Sequence, residues 1–284
     1  VIATLKELLK EAAEQDKAIG SFTCADMEMV IGTIRAAEEE NSPVIIQIAE
    51  GRLAHTPLDY IGPLMVQAAK DAHVKVCVHL DHGLTRAKVA EALSYGFTSV
   101  MYDGSRYELE ENIRRTNEVA DLARQKGVSV EAELGSIGGK EATDHDEKAV
   151  YTDVHEAVEF VSRTDIDALA VAIGNAHGHY KGVPHLNFER LAMIHDAVDL
   201  PLVLHGGSGI SDEDFRRCIA NGIRKINIAT ASLDAMTDGA KRYLSMETEH
   251  DFYHLNEAMV EGVYRNVRHC IKVFNNKEKL NEIH

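Results

Sequence analysis

Two periodicities alternate along the chain. Short apolar, largely β-branched runs are separated by longer stretches in which apolar residues recur every three or four positions. The first kind predicts buried parallel strands and the second amphipathic helices. Strands are expected over 18–22, 43–48, 74–80, 98–102, 128–134, 167–173, 200–205 and 224–228. Helical spacing fills segments between them, including 27–40, 58–72, 86–95 and 108–126. A helix also precedes the first strand. Thr4 with Glu7 three residues later forms a capping box, followed by Leu5, Leu8, Leu9, Ala12 and Ala13 on one face.

The strand–helix unit recurs about eight times without a break in composition. That count, in 284 residues, predicts a closed α/β barrel of the TIM (β/α)8 type. It carries an extra N-terminal helix and a C-terminal helical extension, since such a barrel takes roughly 250 residues. A single domain spanning 1–284 is expected. No G-x-G-x-x-G follows an early strand, which argues against a dinucleotide-binding domain. Two segments depart from the repeat. Residues 135–151 (GSIGGKEATDHDEKAVY) form a long polar loop after the fifth strand, of a length that is usually functional or disordered. From Ser245 onward the pattern changes and ends in a helix near 255–274, a candidate contact with the barrel or a neighbouring subunit.

Hydrophobic content of 45% and charged content of 27% are those of a soluble globular chain. A net charge of −16 disfavours non-specific binding to nucleic acid or an anionic membrane. There is no apolar run near 18 residues and no secretory signal pattern, so a cytoplasmic protein is expected. The start at Val1 suggests an initiator methionine removed or left out of the numbering. Cys24, Cys77, Cys218 and Cys270 are scattered, without a C-x-x-C pair, and read as buried reduced thiols.

In a parallel barrel the reactive side chains sit at the C-terminal strand ends. His82, beside Asp81, His177 and His205 all fall there. Neutral imidazoles converging from different strands suit a divalent metal, zinc in particular, with a position left for substrate. Each histidine alone would more often be structural, and His79, His179 and His185 compete as ligands. Asp81 is a candidate proton shuttle or an orienting partner of a histidine. Asp103, Glu131 and Glu133 are candidates for a second cation or for support. The loops after strands seven and eight, Gly206-Gly207-Ser208-Gly209 and Asn227-Ile228-Ala229-Thr230, are where this fold binds phosphate. Either motif alone is equally readable as a turn and a helix cap.

These segments resemble the class II, metal-dependent fructose/tagatose-bisphosphate aldolases. The carriers are VHLDHG at 78–83, SVMYDGS at 99–105, EENI at 110–113 and VSVEAELGSIGG at 128–139. They continue with AVAIGNAHGHYKG at 170–182, LPLVLHGGSGI at 200–210 and KINIAT at 225–230. The resemblance covers almost the whole chain. It implies Zn²⁺ on His82, His177 and His205, with a monovalent cation (Na⁺ or K⁺) as a candidate companion. By the same resemblance Gly178, Gly206, Gly207, Ser208, Asn227, Ile228, Ala229 and Thr230 would hold dihydroxyacetone phosphate. Glu133 and Asp103 match metal-associated positions of some members. With the metal polarising the ketose carbonyl, Asp81 would take the C4 hydroxyl proton, the C3–C4 bond would break, and Glu141 would return a proton. The expected partner is a phosphorylated sugar, with no nucleic acid and no membrane, in a homodimer or homotetramer.

A Schiff-base aldolase would instead need a strand lysine at the rim, and Lys225 lies near the start of strand eight. Thr23, Ala49, Lys140, Ala231 and the segment His250-Asp251-Phe252-Tyr253 depart from the family pattern, all toward the aldehyde half of the substrate. Competing readings are an aldolase for another phosphorylated ketose or keto-acid, a non-catalytic aldolase-like partner subunit, and a metal hydrolase on the same fold.

Overall fold

The computed structural model describes residues 1–139, 150–247 and 249–276. Helix α1 (Leu5–Glu14) precedes β1 (Ile19–Thr23), α2 (Met27–Glu39) and β2 (Val44–Ala49). A 3-10 turn (Glu50–Arg52) leads to α3 (Leu58–Asp71), β3 (Val76–Gly83), α4 (Arg86–Tyr95) and β4 (Ser99–Tyr102). Then come α5 (Leu109–Arg124), β5 (Ser129–Leu134), α6 (Val154–Arg163), β6 (Ala168–Val171) and α7 (Phe188–Ala197). The chain closes with β7 (Leu202–Leu204), α8 (Asp212–Ala220), β8 (Ile223–Ile228), α9 (Thr230–Leu244) and α10 (Phe252–Phe274).

All eight strands are parallel, each pairs with the next, and β8 returns to β1. The expected (β/α)8 barrel is therefore the observed one. Alternation along each strand divides its residues between two cores. Outward positions such as Phe22, Ile46, Val78, Val130, Leu169 and Ile226 pack with helix residues into the larger apolar cluster. Inward positions Ile19, Ile45, Cys77, Met101, Ala168 and Val203 form a second cluster with Leu5, Leu8, Leu9 and Ala12 of α1. Helix α1 is thus a plug at the N-terminal end of the barrel. Ten residues are too few for a stable isolated helix. Burial of its three leucines, about 1.5–3 kcal/mol each, holds it in place, and Thr4 Oγ1 accepts from Glu7 N at 3.3 Å, one half of the expected capping box, while Glu7 Oε1 pairs with Lys75 at 2.9 Å.

The boundary differences have physical causes. β3 runs three residues past the expected end, through Asp81 and His82 to Gly83. β6 and β7 stop before Ile173 and His205, where the chain turns into glycine-containing loops. The long C-terminal helix begins at Phe252, capped by Asp251, which accepts from Tyr253 N and His254 N. Its buried face, including Val263, Val267 and Ile271, packs on α9, α2 and β1. Most of the polar segment after β5 lies outside the described residues, but its ends meet in a two-way bridge between Ser136 and Val150, each hydrogen bond 2.8 Å. All four cysteines are buried, and burial pushes each thiol up to about 12. Among the described residues no helix is long and apolar enough to cross a membrane.

Candidate active site

Regular alternation would point Asp81 and His82 to opposite faces of β3. Two irregularities prevent this. The β3–β4 register shifts between Leu80 and Gly83, and His82 adopts φ 40°, the left-handed region a β-carbon disfavours. Both side chains are consequently buried at the barrel mouth, at 0% and 1% exposure. Backbone strain of this kind persists only where the surroundings over-determine it, and it gathers at functional positions.

His82 meets two other imidazoles there. Ring centroids lie 4.8 Å from His177 and 4.7 Å from His205, and His177 and His205 are 5.8 Å apart. His82 Nε2 and His205 Nδ1 are separated by 3.0 Å. Their other nitrogens are committed: His82 Nδ1 to Asp103 Oδ2 at 2.9 Å, and His205 Nε2 to Glu131 Oε1 at 2.8 Å. With each carboxylate accepting an N–H, the remaining lone pairs face the shared centre. One candidate donor atom from each of the three histidines lies within 4.8 Å of the others. A tetrahedral ion with N ligands at about 2.0–2.1 Å would separate them by roughly 3.3 Å. The donor set therefore fits a divalent transition metal. A second group, His82, Asp103 and Glu133, meets the same spacing and overlaps the first.

The electrostatics follow from packing charges and imidazoles in a buried mouth. Burial opposes a charged His82, yet the Asp81 charge and the Asp103 hydrogen bond outweigh it and raise this imidazole well above its ordinary value. Burial, reinforced by His82, pushes His177 down to about 3 and His205 well below 6.5. Burial beside Asp103 raises Glu133 well above the usual carboxyl range. Asp103 moves the other way: burial is overcome by His82 and by two hydrogen bonds from Ser105.

Asp81 is held from both sides. Gln47 Nε2 donates to Oδ2 at 2.9 Å, and Asn227 Nδ2 donates to Oδ1 at 3.1 Å. Gln47 is itself fixed by the Ser21 hydroxyl. Asn227 Nδ2 also lies 3.4 and 3.3 Å from the two ring nitrogens of His205, so the same amide packs against the triad.

The β7 and β8 loops supply backbone donors. Gly206, at φ 63°, packs so closely that a β-carbon would stand 2.2 Å from Ala176 O. Gly178 has φ 82° with open space where its side chain would be. Ala229, the residue before α9, offers no side-chain cap, while Ser208 Oγ accepts from Ala231 N at 2.9 Å. Thr230 opens the helix. This leaves a helix N-terminus beside Gly206–Ser208, the arrangement that binds phosphate. The Ile228 side chain is 1% exposed in the outer core, so this residue can serve a ligand only through its backbone.

The remaining candidates separate clearly. His79 is one layer deeper, with Nδ1 2.8 Å from Ser99 Oγ and Nε2 3.8 Å from Glu131. His179 is exposed and faces Asp234 at 3.5 Å, and His185 is also exposed. Lys225 does not reach the rim; it is buried in the barrel with Nζ 2.8 Å from Glu131 Oε2. Glu141 and Lys140 lie outside the described residues. Sequence reasoning passed over Gln47 and Ser21, whose only signal was polarity inside an apolar strand. It also passed over Tyr180, which donates to Gly206 O and accepts from Ala176 N, each at 2.9 Å, tying the two loops together.

The profile of the family "Fructose-bisphosphate aldolase class-II" matches residues 3–279. The chain belongs to that family. It is 41% identical over 251 residues to the fructose-bisphosphate aldolase of Geobacillus stearothermophilus, covering 87% of each chain. It is 40% identical over 282 residues to "Uncharacterized protein YdjI" of Escherichia coli (strain K12), covering 98% of this chain and 99% of that one. The crystal structure of the E. coli YdjI aldolase superimposes with a TM-score of 0.88 at 38% identity, over 98% and 99% of the two chains. Membership supports an aldolase, a carbon–carbon lyase of a generally metal-dependent family.

Proposed function

We propose that the chain reversibly cleaves a ketose 1,6-bisphosphate of the fructose or tagatose type. The products are dihydroxyacetone phosphate and an aldehyde such as glyceraldehyde 3-phosphate. The observation that carries this reading is Asp81, gripped by Gln47 and Asn227 beside three convergent imidazoles. His82, His177 and His205 hold the metal in this reading, and zinc suits three neutral nitrogens with a coordination position to spare. When bound, the ion supplies Lewis-acid polarisation of the ketose carbonyl.

The rest falls to the chain's own groups. Asp81 takes the proton from the C4 hydroxyl as the C3–C4 bond breaks, its carboxylate kept in place by two amide donors. Gly178, the Gly206–Ser208 loop and the α9 N-terminus receive the C1 phosphate through backbone N–H groups. Glu141 is assigned the return of a proton to the three-carbon product. A cytoplasmic homodimer or homotetramer is the proposed setting, and Na⁺ or K⁺ a proposed companion at the phosphate.

A different phosphorylated ketose is the second reading, favoured by Thr23 and Ala49 at the ends of β1 and β2, register partners of Gln47 and Asp81, and by Ala231 in the first turn of α9. Release of dihydroxyacetone phosphate across a panel of ketose phosphates, before and after chelation and zinc restoration, tests both. Cleavage of neither bisphosphate sinks the first reading. Undiminished activity after complete chelation, or free phosphate without carbon–carbon cleavage, sinks metal-dependent aldol chemistry.

A further inference from the structure

A cavity of about 330 Å³ opens on the outer side of the barrel, between the start of α4 and the face of α5. Its lining includes Leu84, Arg86, Tyr102, Arg106, Tyr107 and Arg115. Tyr102 is an outward residue of β4 and packs in the larger apolar cluster, so the cavity does not open into the mouth. In the closed order of strands β4 stands across the barrel from β8, and hence from the Gly206–Ser208 loop and the α9 N-terminus. A volume of this size lies at the lower end of the roughly 300–1,000 Å³ of small-ligand pockets.

The charges around it are one-sided. Acidic residues outnumber basic ones by 46 to 30, and arginines such as Arg114, Arg124 and Arg163 each face two carboxylates. Arg86 and Arg106 face none. Both are exposed at the cavity, and neither forms an ion pair among the described residues. The carboxylate in the same lining, Glu118, is taken by Arg114. Arg115 is held by Glu111 Oε1 at 2.6 Å, and its guanidinium lies 4.3 Å from the Tyr107 ring centroid. That of Arg106 lies 5.0 Å from the same centroid. Cations gathered in this way repel one another until an anion joins them.

The frame is fixed in advance. Glu50 Oε2 accepts from Leu84 N at 2.7 Å and from Thr85 N at 3.0 Å, which anchors the segment carrying Arg86. Ser105 donates to Asp103 from its backbone and its hydroxyl, and Tyr107 N donates to Gly104 O at 2.9 Å, which anchors the turn carrying Arg106. Little ordering is left for a ligand to impose, and that lowers the cost of binding.

We propose that this cavity binds a small phosphate monoester at a site separate from the catalytic centre. The phosphoryl dianion sits among Arg86, Arg106 and Arg115, whose planar forks match its oxygens. Leu84, Val119 and the two tyrosine rings receive the organic body of the ligand.

The test uses the metal-loaded full chain with glycerol 3-phosphate as the probe and glycerol as its neutral control. Phenylglyoxal modification of single arginines is followed by peptide mass. Glycerol 3-phosphate is expected to slow modification of Arg86 and Arg106 several-fold and to leave Arg242, an exposed arginine of α9, unchanged. Glycerol protects none of them. Equilibrium dialysis of the labelled probe then reads a second site beside the catalytic one. Arg86→Ser and Arg106→Ser are each expected to weaken that second site about tenfold or more. The double variant loses it and keeps the catalytic one. Absence of protection at Arg86 and Arg106, or equal slowing at Arg242, would overturn the proposal. Retention of the second site in the double variant would overturn it as well. Both outcomes leave the aldolase reading untouched, since cleavage is measured separately.

Discussion

His82 donates from Nδ1 to Asp103 Oδ2 at 2.9 Å while its own backbone is held at φ 40°. The carboxylate therefore fixes the tautomer of an imidazole that the β3 irregularity has already turned into the mouth. A partner of this kind typically contributes 10–100-fold to metal affinity. Asp103→Ala is expected to weaken zinc binding by about that factor, read by chelator competition with the metal-free protein. Equal affinities in the two proteins would remove Asp103 from the metal centre.

Gln47 does for Asp81 what Asp103 does for His82. In Gln47→Leu, one oxygen of a fully buried carboxylate loses its donor, a penalty of about 1–3 kcal/mol. The expected result is a kcat lower by about 5–150-fold, with bound metal unchanged, because the Gln47 side chain hydrogen-bonds to Ser21 and Asp81 and, among the described residues, to none of the three histidines. Loss of metal along with activity would mean that Gln47 supports the triad instead.

Much of this arrangement was legible in the sequence, and its limits are physical. The eight strands were readable because both barrel faces are dry, so apolar runs mark them. Asp81-His82-Gly83 was not readable as strand, since polarity and a left-handed backbone mimic a loop. The residues alone put His177 ahead of His179 but left His179 open; the family pattern favoured His177, and the structure shows His179 in solvent against Asp234. Gln47, Glu131 and Lys225 are polar residues in β2, β5 and β8, and their partners become evident only when the barrel closes. The aldehyde side stayed open because Thr23 and Ala49 depart from the family pattern and belong to no recurrent motif.

The metal-free protein should have a pH-dependent stability set by opposed histidines. His177 is lowered to about 3 by burial, so between that value and about 6.5 the unfolded chain binds the extra proton. Stability is present above pH 6.5 and falls with acid, by up to about 1.4 kcal/mol per pH unit for each such group. His205 acts in the same direction. His82, raised by Asp81 and Asp103 against its burial, contributes below pH 6.5 and loses that contribution as pH rises toward its folded value. Urea midpoints between pH 4 and 9 measure the curve. His177→Gln is expected to flatten the acid limb; an unaltered slope there would contradict the assignment.

Lys225 and Glu131 form an ion pair with both side chains at 0% exposure, in the layer directly beneath the histidines. Taking one charge away leaves the other buried without its counterion, which costs about 3–5 kcal/mol. Lys225→Met should therefore be strongly destabilised in urea unfolding. Adding Glu131→Gln removes the stranded charge and keeps an oxygen that can accept from His205 Nε2. The double variant is expected to recover most of the loss, since a buried pair as a whole contributes little net stability. If it proved no more stable than Lys225→Met, the penalty would lie in lost packing of the lysine stem rather than in the buried charge.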